Sequence, residues 1–271
     1  MVMHLRSVSL RSTGAAADGN YPFSVPAVAA VADSPLTFRS EVTFFVGENG
    51  SGKSTLLEGI ACAARSIVIG SAGTETDPTL AAGRRLGRAL RLSWHRPTHR
   101  GFFLRAEDVF GYARRMDQLR GDLLREAATI DADPTASAAA RALGTGALWG
   151  QAGEIGRRYG AGLDARSHGE SFLTLFQQRL VPGGLYLLDE PEAPLSPTRQ
   201  LSLLSLVKTM VAEGESQFII ATHSPILMAF PEATIFSFDG GQIREMPYAE
   251  LEHVTVTRQF PQDPDAFLRY L

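Results

Sequence analysis

The sequence predicts an α/β fold with a largely parallel sheet flanked by helices, a small helical subdomain and some antiparallel β-structure. Three short apolar runs support this prediction, at residues 41–46, 184–188 and 217–221. Residues 53–65 and 197–212 follow the first two runs and carry leucines at helical spacing. Strand, helix, strand units of this kind predict parallel neighbours, with functional residues at the carboxyl ends of the strands.

The remaining segments complete the predicted architecture. After residues 235–238, an Asp-Gly-Gly turn and residues 242–246 predict a closing antiparallel hairpin. Glycine- and alanine-rich turns alternate with arginine-bearing segments from Gly70 to about Ser167, which predicts a mostly helical region. We place the helical subdomain at about residues 112–180, inside one domain that spans residues 1–271.

Composition restricts the class of protein. The 271 residues carry a formal net charge of -3, so no global field attracts DNA or an anionic membrane. The single Cys62 excludes an intramolecular disulfide. Neither a secretory signal nor an apolar stretch long enough to span a bilayer is evident, which predicts a cytoplasmic protein without an integral membrane segment. The histidines lack metal-ligand spacing, so no zinc site is predicted.

Residues 47–54 form the strongest motif. Gly-Glu-Asn-Gly-Ser-Gly-Lys-Ser satisfies the phosphate-loop pattern G-x-x-x-x-G-K-[ST] between a strand and a helix, and so predicts a P-loop NTPase fold. Backbone N–H groups of such a loop surround phosphate oxygens, Lys53 reaches the outer phosphates, and the Ser54 hydroxyl is a ligand for Mg²⁺. The predicted nucleotide-binding residues are Gly47, Asn49, Gly50, Ser51, Gly52, Lys53, Ser54 and Thr55.

The strand at residues 185–188 ends in two carboxylates, Asp189 and Glu190. Asp189 is predicted to hold Mg²⁺, directly or through water. Glu190 is predicted to polarise the water that attacks the γ-phosphate, which requires a carboxylate within hydrogen-bond reach.

Several motifs in order resemble the ATP-binding-cassette (ABC) superfamily of ATPases. Besides the phosphate loop and the Asp-Glu pair, Ser167-His-Gly-Glu-Ser171 resembles its signature motif, 22 residues before Asp189, and Thr222-His223-Ser224 resembles its switch histidine. The segment 192–196 occupies the position of the loop that couples two facing sites.

The resemblance implies a mechanism and roles for these residues. Two copies would bind Mg-ATP head-to-tail, with Ser167, Gly169 and the adjacent Glu170 of one copy at the nucleotide of the other. Lys53, Glu190 and His223 would act in catalysis, His223 through the γ-phosphate.

Three stretches point to one branch of that superfamily. The Glu-Asn pair of the phosphate loop, Asp-Glu-Pro-Glu and Ala-Thr-His-Ser-Pro resemble soluble, non-transport members, which include SMC-like and recombination-repair ATPases and small bacterial AAA-type proteins. This implies a nucleotide-driven switch on DNA or a protein partner. One alternative is the ATP-hydrolysing subunit of a membrane transporter. The other is an ATP sensor with negligible turnover, and the intact Asp189 and Glu190 argue against this sensor.

Some family positions have no clear counterpart. No glutamine marks the loop that links nucleotide to partner, and Glu107 or Arg105 could take its place. Glu107 is also a candidate ligand of Mg²⁺. Tyr21 and Phe23 are candidates for stacking on adenine, and either could also be a core residue. Ten arginines between residues 84 and 120 are either a nucleic-acid footprint or are paired with acidic groups of the subunit, a partner or ATP.

Overall fold

The computed structural model describes residues 3–11, 19–69, 74–132, 135, 137–159 and 168–269, with only part of the side chains between residues 106 and 175. Two compact units are formed. The first comprises Met1–Ala106 and Leu180–Leu271, and the second comprises Glu107–Arg179.

The strands belong to the first unit. In chain order they are β1 (Leu5–Leu10), β2 (Leu36–Thr37), β3 (Val42–Val46), β4 (Ile67–Val68), β5 (Leu90–Trp94), β6 (Gly101–Arg105), β7 (Leu185–Asp189), β8 (Gln217–Ala221), β9 (Thr234–Ser237) and β10 (Arg244–Glu245).

The helices lie in both units. In chain order they are α1 (Pro26–Asp33), α2 (Lys53–Ala64), α3 (Ala81–Ala89), α4 (Ala106–Asp131), α5 (Ala138–Tyr159), α6 (His168–Arg179), α7 (Pro197–Ala212), α8 (Pro225–Met228), α9 (Glu252–Gln259) and α10 (Pro264–Leu268). Proline occupies the first turn of α1, α7, α8 and α10, where its missing N–H leaves no helical hydrogen bond unmade.

Within the described residues, seven strands form the main sheet in the order β10-β9-β3-β8-β7-β6-β4. All neighbours are parallel except β10, which pairs antiparallel with β9. A second, antiparallel sheet has the order β2-β1-β5. The predicted fold class, a mostly parallel sheet flanked by helices with some antiparallel β-structure, is confirmed.

The central strands are buried on both faces, as a parallel sheet requires. Every residue of β3, β7 and β8 is buried. On one face Phe45 and Ile219 join a core that includes residues of α1, α2 and the small sheet. On the other face the Tyr186 ring lies between Phe102 and Phe218, with centroid distances of 5.0 and 4.8 Å. This double burial fixes the height at which the strands end.

The prediction of a mostly helical region beginning at Gly70 is wrong in its first part. Residues 90–94 and 101–105 are the strands β5 and β6, which belong to the small and main sheets. Arg91 and Ser93 interrupt the apolar pattern of β5, and β6 is a run of only five residues buried among parallel neighbours.

The second unit is helical. It contains α4 from its second residue, α5 and α6, and its buried residues include Leu123, Ala127 and Ala152. The rings of Phe172 and Phe176 are stacked in α6 with centroids 6.0 Å apart. In the described parts of both units, no helix combines the length and the apolar character needed to cross a membrane.

Candidate functional site

The candidate site lies at the carboxyl edge of the main sheet. Register places Arg105 beside Asp189, Asp189 beside Ala221, and Ala221 beside Phe45, so four neighbouring strands end level with one another. The residues that follow these strands therefore meet at one edge. They are the phosphate loop after β3, Glu190 after β7, Thr222 and His223 after β8, and Asp239 after β9.

The phosphate loop requires glycine at two positions where the backbone passes close to neighbours. Gly52 has φ 98°, and a Cβ there would lie 2.4 Å from Val25 Cγ1. Gly47 has φ 140°, and a Cβ there would lie 2.8 Å from Asp239 Oδ1. Among the described residues no side chain caps α2 at Gly52, which leaves its first backbone N–H groups for an anionic ligand.

Lys53 is a buried cation at the first position of α2. Its Nζ donates to the Gly47 carbonyl at 2.6 Å and to the Glu48 carbonyl at 2.9 Å, and its side chain is almost fully covered. Burial lowers the pKa of Lys53, while Glu190 and Asp189 oppose that shift. The charge is therefore held inside the loop, where bound phosphates would compensate it.

Ser54 and Asp189, the two predicted ligands of one cation, are hydrogen-bonded to each other. Ser54 Oγ donates to Asp189 Oδ1 at 3.0 Å. Burial raises the pKa of Asp189 to about 7. The hydrogen bond from Ser54 opposes this shift, and the Glu190 charge adds to it. A divalent cation would compensate the charge of this buried carboxylate. Ser54 Oγ and Asp189 Oδ1 therefore fit Mg²⁺.

Magnesium commonly takes one or two protein oxygens and completes its shell with water and phosphate. The pair of Ser54 and Asp189 suits that habit. In the part of the chain that the structure describes, no group of three or more His, Cys, Asp or Glu side chains is arranged to hold a metal ion.

The Asp189→Asn variant tests the uncompensated carboxylate. The pKa of Asp189 is raised from 3.8 to about 7 in the folded protein, so folding favours the neutral carboxyl. The stability that this carboxyl contributes is fully present below pH 3.8 and is lost as the pH rises through about 7. We expect the variant to exceed the wild type in metal-free stability above pH 7 by on the order of 2–4 kcal/mol. Thermal unfolding from pH 4 to pH 8 measures this difference, with the exposed Asp33→Asn as control. Parallel curves for wild type and Asp189→Asn would contradict the assignment.

Glu190 and His223 lie opposite the loop. Glu190 has φ 48°, a left-handed conformation that is strained for a side chain other than glycine, and its N–H donates to the Ala221 carbonyl at 2.9 Å. His223 Nε2 lies 3.7 Å from Glu190 Oε1. Burial lowers the pKa of His223, helped by Lys53 and opposed by Glu190, which favours a neutral ring. The strained backbone thus directs a half-exposed carboxylate towards the histidine.

Glu192 ties the loop after β7 to the residues after β8. Its Oε1 accepts from Thr222 Oγ1 and from the His223 backbone N–H, both at 2.7 Å. Burial raises the pKa of Glu192, and its Oε2 has no hydrogen-bond partner among the described residues. Glu192 therefore fixes the backbone of the predicted switch histidine.

Asp239 is a site residue that the sequence did not indicate. Its Oδ1 accepts from the Glu48 backbone N–H at 2.8 Å, and its Oδ2 accepts from Ser237 Oγ at 2.9 Å. The Asp-Gly-Gly sequence predicts only a turn, and it reaches the phosphate loop because β9 is the neighbour of β3. Asp239 holds the tip of the loop from the adjacent strand.

Replacement of Asp239 separates its hydrogen bond from its charge. Asp239→Ala removes the acceptor for Glu48, and we expect ATP affinity to fall about five-fold, which corresponds to about 1 kcal/mol. Asp239→Asn keeps an acceptor oxygen and removes a negative charge near the phosphates, so its affinity should equal or exceed that of the wild type. Titration calorimetry measures the ATP affinity of both variants. Equal losses of affinity would contradict the role of the Asp239 hydrogen bond in holding the phosphate loop.

The two candidates for adenine stacking differ. Tyr21 is about half exposed, and its hydroxyl lies 3.4 Å from Thr55 Oγ1 in the first turn of α2. Phe23 packs against the core, with the Arg85 guanidinium 5.9 Å from its ring centroid. Phe23 is thus partly buried against the core, whereas Tyr21 is more exposed, and the choice between them for adenine stacking stays a prediction.

Other predicted residues lie in the second unit or at its boundary. Ser167 lies outside the described residues. Gly169 and Glu170 are in the first turn of α6, and Glu107 is the second residue of α4, and the structure describes their backbone only. These assignments stay predictions.

Arg105 is buried in a polar cluster of its own. Its Nη2 lies 3.2 Å from Asp77 Oδ2, and its Nη1 lies 3.6 Å from Glu58 Oε1 and donates to Thr79 Oγ1 at 3.1 Å. With 5% of its surface exposed, Arg105 is held by these contacts inside the first unit, and its assignment to the place of the missing glutamine stays a prediction.

Several arginines of the 84–120 stretch bond within the first unit. Besides Arg105, Arg84 donates to the Thr74 carbonyl, Arg85 to the Tyr21 carbonyl, Arg96 pairs with Glu215, and Arg100 donates to the Pro182 carbonyl. Arg105 and Arg96 pair with acidic groups of the subunit, and the other three donate to backbone carbonyls. The nucleic-acid footprint stays a prediction, because the Arg96 side chain is 65% exposed despite its pairing.

Two protein families match separate parts of this chain. Residues 28–64 match a family described as "AAA domain", and residues 171–229 match "AAA domain, putative AbiEii toxin, Type IV TA system". The first match contains the phosphate loop, and the second contains Asp189, Glu190 and His223. The phosphate loop between β3 and α2 and the mostly parallel sheet are those of a P-loop ATPase fold. The predicted P-loop NTPase fold is confirmed, and no curated protein sequence matches the chain.

Solved structures of this kind are similar only at low identity. They include a nucleotide-free ATP-binding cassette from an ABC transporter (16% identity, TM-score 0.48, 96% of this chain and 97% of that chain). Others are the Smc head domain of Pyrococcus furiosus bound to the C-terminal domain of ScpA (12%, 0.45, 95% and 99%) and the SMC head domain from Thermotoga maritima (16%, 0.42, 90% and 99%).

Proposed function

We propose that this P-loop ATPase fold hydrolyses ATP to ADP and phosphate at the carboxyl edge of its main sheet. The observation that carries the proposal is the contact of Ser54 with Asp189 within the same edge that presents Lys53 and Glu190. Phosphate binding, cation binding and a residue that positions the attacking water are the recurring parts of phosphoryl transfer to water, and Glu190 is the candidate for the third.

The chain's own residues have separate tasks in this reaction. Backbone N–H groups of the phosphate loop and Lys53 bind the phosphates and stabilise the charge that accumulates on them. Glu190 orients a water and accepts its proton, while the water oxygen bonds to the γ-phosphorus and the bond to the bridging oxygen breaks. His223 donates a hydrogen bond to a γ-phosphate oxygen. Mg²⁺, held by Ser54 and Asp189, neutralises phosphate charge when bound.

We further propose that two copies form the complete site head-to-tail. One copy supplies the phosphate loop, Asp189, Glu190 and His223, and the other supplies Ser167 and Gly169, as the resemblance to ABC ATPases implies. Two-fold symmetry then creates two equivalent sites with one interface. ATP would favour the closed dimer, and a partner, DNA or another protein, would respond to that state.

Sedimentation velocity tests the dimer directly. The Glu190→Gln variant with Mg-ATP should sediment as a dimer, while the same variant without nucleotide and the wild type after hydrolysis should sediment as monomers. A monomer under all three conditions would contradict the shared site. Addition of duplex DNA at low and moderate salt then separates the two partner classes, since binding to phosphates weakens steeply with salt.

A further inference from the structure

The two ring nitrogens of His223 have different surroundings. Nδ1 lies 3.1 Å from Nε2 of His253 in α9. Nε2 is buried without a hydrogen-bond partner among the described residues, and the nearby Glu190 Oε1 is 3.7 Å away. A neutral imidazole carries one proton, so the neighbour of Nδ1 determines whether Nε2 can donate.

The charges around His223 favour one of the two tautomers. A proton on Nε2 would face the Glu190 carboxylate, whereas a lone pair on Nε2 would face it with repulsion. Burial and the Lys53 charge lower the pKa of His223, and His253 adds to this while Glu190 and Glu48 oppose it. The neutral ring with its proton on Nε2 is consistent with all of these groups. Nδ1 is then an acceptor, and His253 Nε2 must be the donor.

His253 is held in place by its own helix. Its neighbours Leu251 and Val254 are 3% and 5% exposed, and they anchor the start of α9 in the core. On the other side, α8 begins at Pro225, two residues after His223, and the Pro225 carbonyl accepts from Tyr248 Oη at 3.1 Å. The His253 and His223 ring centroids are consequently 5.2 Å apart. The donor thus comes from a distant part of the chain with a fixed position.

We propose that His253 is a positioning residue, which donates from Nε2 to His223 Nδ1 and thereby keeps the His223 proton on Nε2. Its effect on turnover rests on the proposed ATPase function, in which His223 Nε2 donates to the γ-phosphate. Its effect on the tautomer of His223 does not depend on that function.

Nitrogen NMR of the full-length, ¹⁵N-histidine-labelled protein tests the proposal, because protonated and unprotonated ring nitrogens resonate far apart. In the wild type His223 should carry its proton on Nε2. His253→Phe removes the donor and should produce a mixture of tautomers. His253→Gln supplies an amide N–H₂ near the position of Nε2 and should restore the wild-type tautomer. His99→Phe, at an exposed loop position, is the matched control.

Turnover provides the second readout. We expect kcat to fall about ten-fold in His253→Phe, the effect of one lost hydrogen bond, with KM for ATP unchanged and most of kcat recovered in His253→Gln. If His253→Phe does not fold, the wild type and His253→Gln still give the tautomer. A wild-type His223 protonated on Nδ1, or a tautomer that is unchanged in His253→Phe, would overturn the proposal. A wild type without turnover but with the expected tautomers would instead count against the proposed function alone.

Discussion

Glu190→Gln should reduce the kcat of ATP hydrolysis by about 10²–10⁴-fold, the range for loss of a positioned general base. The amide keeps the size of the side chain but cannot accept the proton of the attacking water. ATP affinity should remain within a few-fold of the wild type, because Lys53 and the phosphate loop are unchanged. Steady-state phosphate release and ATP binding, measured on the same preparations, separate the two effects.

Glu213→Gln is the matched control for this variant. Glu213 is exposed at the end of α7, so the same chemical change there should leave kcat unchanged. If Glu190→Gln hydrolysed ATP at the wild-type rate, another group would be the base and the assignment of Glu190 would be wrong.

Lys53→Met should weaken ATP binding by about 100-fold, or about 3 kcal/mol, the scale for removal of one partner from a buried charge pair. The same variant should not be less stable than the wild type without nucleotide. Burial already disfavours the Lys53 charge, as its lowered pKa indicates, and methionine fills a similar volume without that penalty. Calorimetric titration gives the affinity, and thermal unfolding gives the stability.

The chain contains one other lysine, Lys208, which is exposed in α7 and provides the control. Lys208→Met should change neither affinity nor kcat. A Lys53→Met protein that lost both affinity and most of its stability would indicate that Lys53 supports the loop structurally rather than the phosphates.

These two predictions reflect a common property of the site. The site keeps a buried Lys53, an Asp189 whose pKa is raised to about 7, and a Glu190 in a strained backbone conformation. Each is unfavourable for the chain by itself, and phosphate and a cation would relieve the first two. Groups of this kind are typical of sites that are shaped for a ligand rather than for stability.

Local sequence was sufficient to predict the centre of the site. The phosphate loop is a contiguous motif, and the buried run of β7 leads directly into Asp189 and Glu190, so the chain itself places each group at a strand end. The parallel sheet then follows from the helix that links β7 to β8. The catalytic roles of these residues stay predictions.

Tertiary contacts explain what the sequence could not predict. Asp239 approaches Glu48 only because β9 lies beside β3, and His253 approaches His223 only because α9 returns to that end of the sheet. Neither residue lies in a motif. Arg105, in contrast, has the residue type of a ligand contact, and only the structure shows that it is buried against Asp77.

Phosphate release from ATP by the purified wild-type chain, followed with Mg²⁺ and with Mg²⁺ chelated, tests the central claim most directly. The proposed function predicts release that requires Mg²⁺ and that Glu190→Gln slows by about 10²–10⁴-fold. No release under either condition, from a protein that nevertheless binds Mg-ATP as a dimer, would contradict hydrolysis and identify the chain as an ATP sensor.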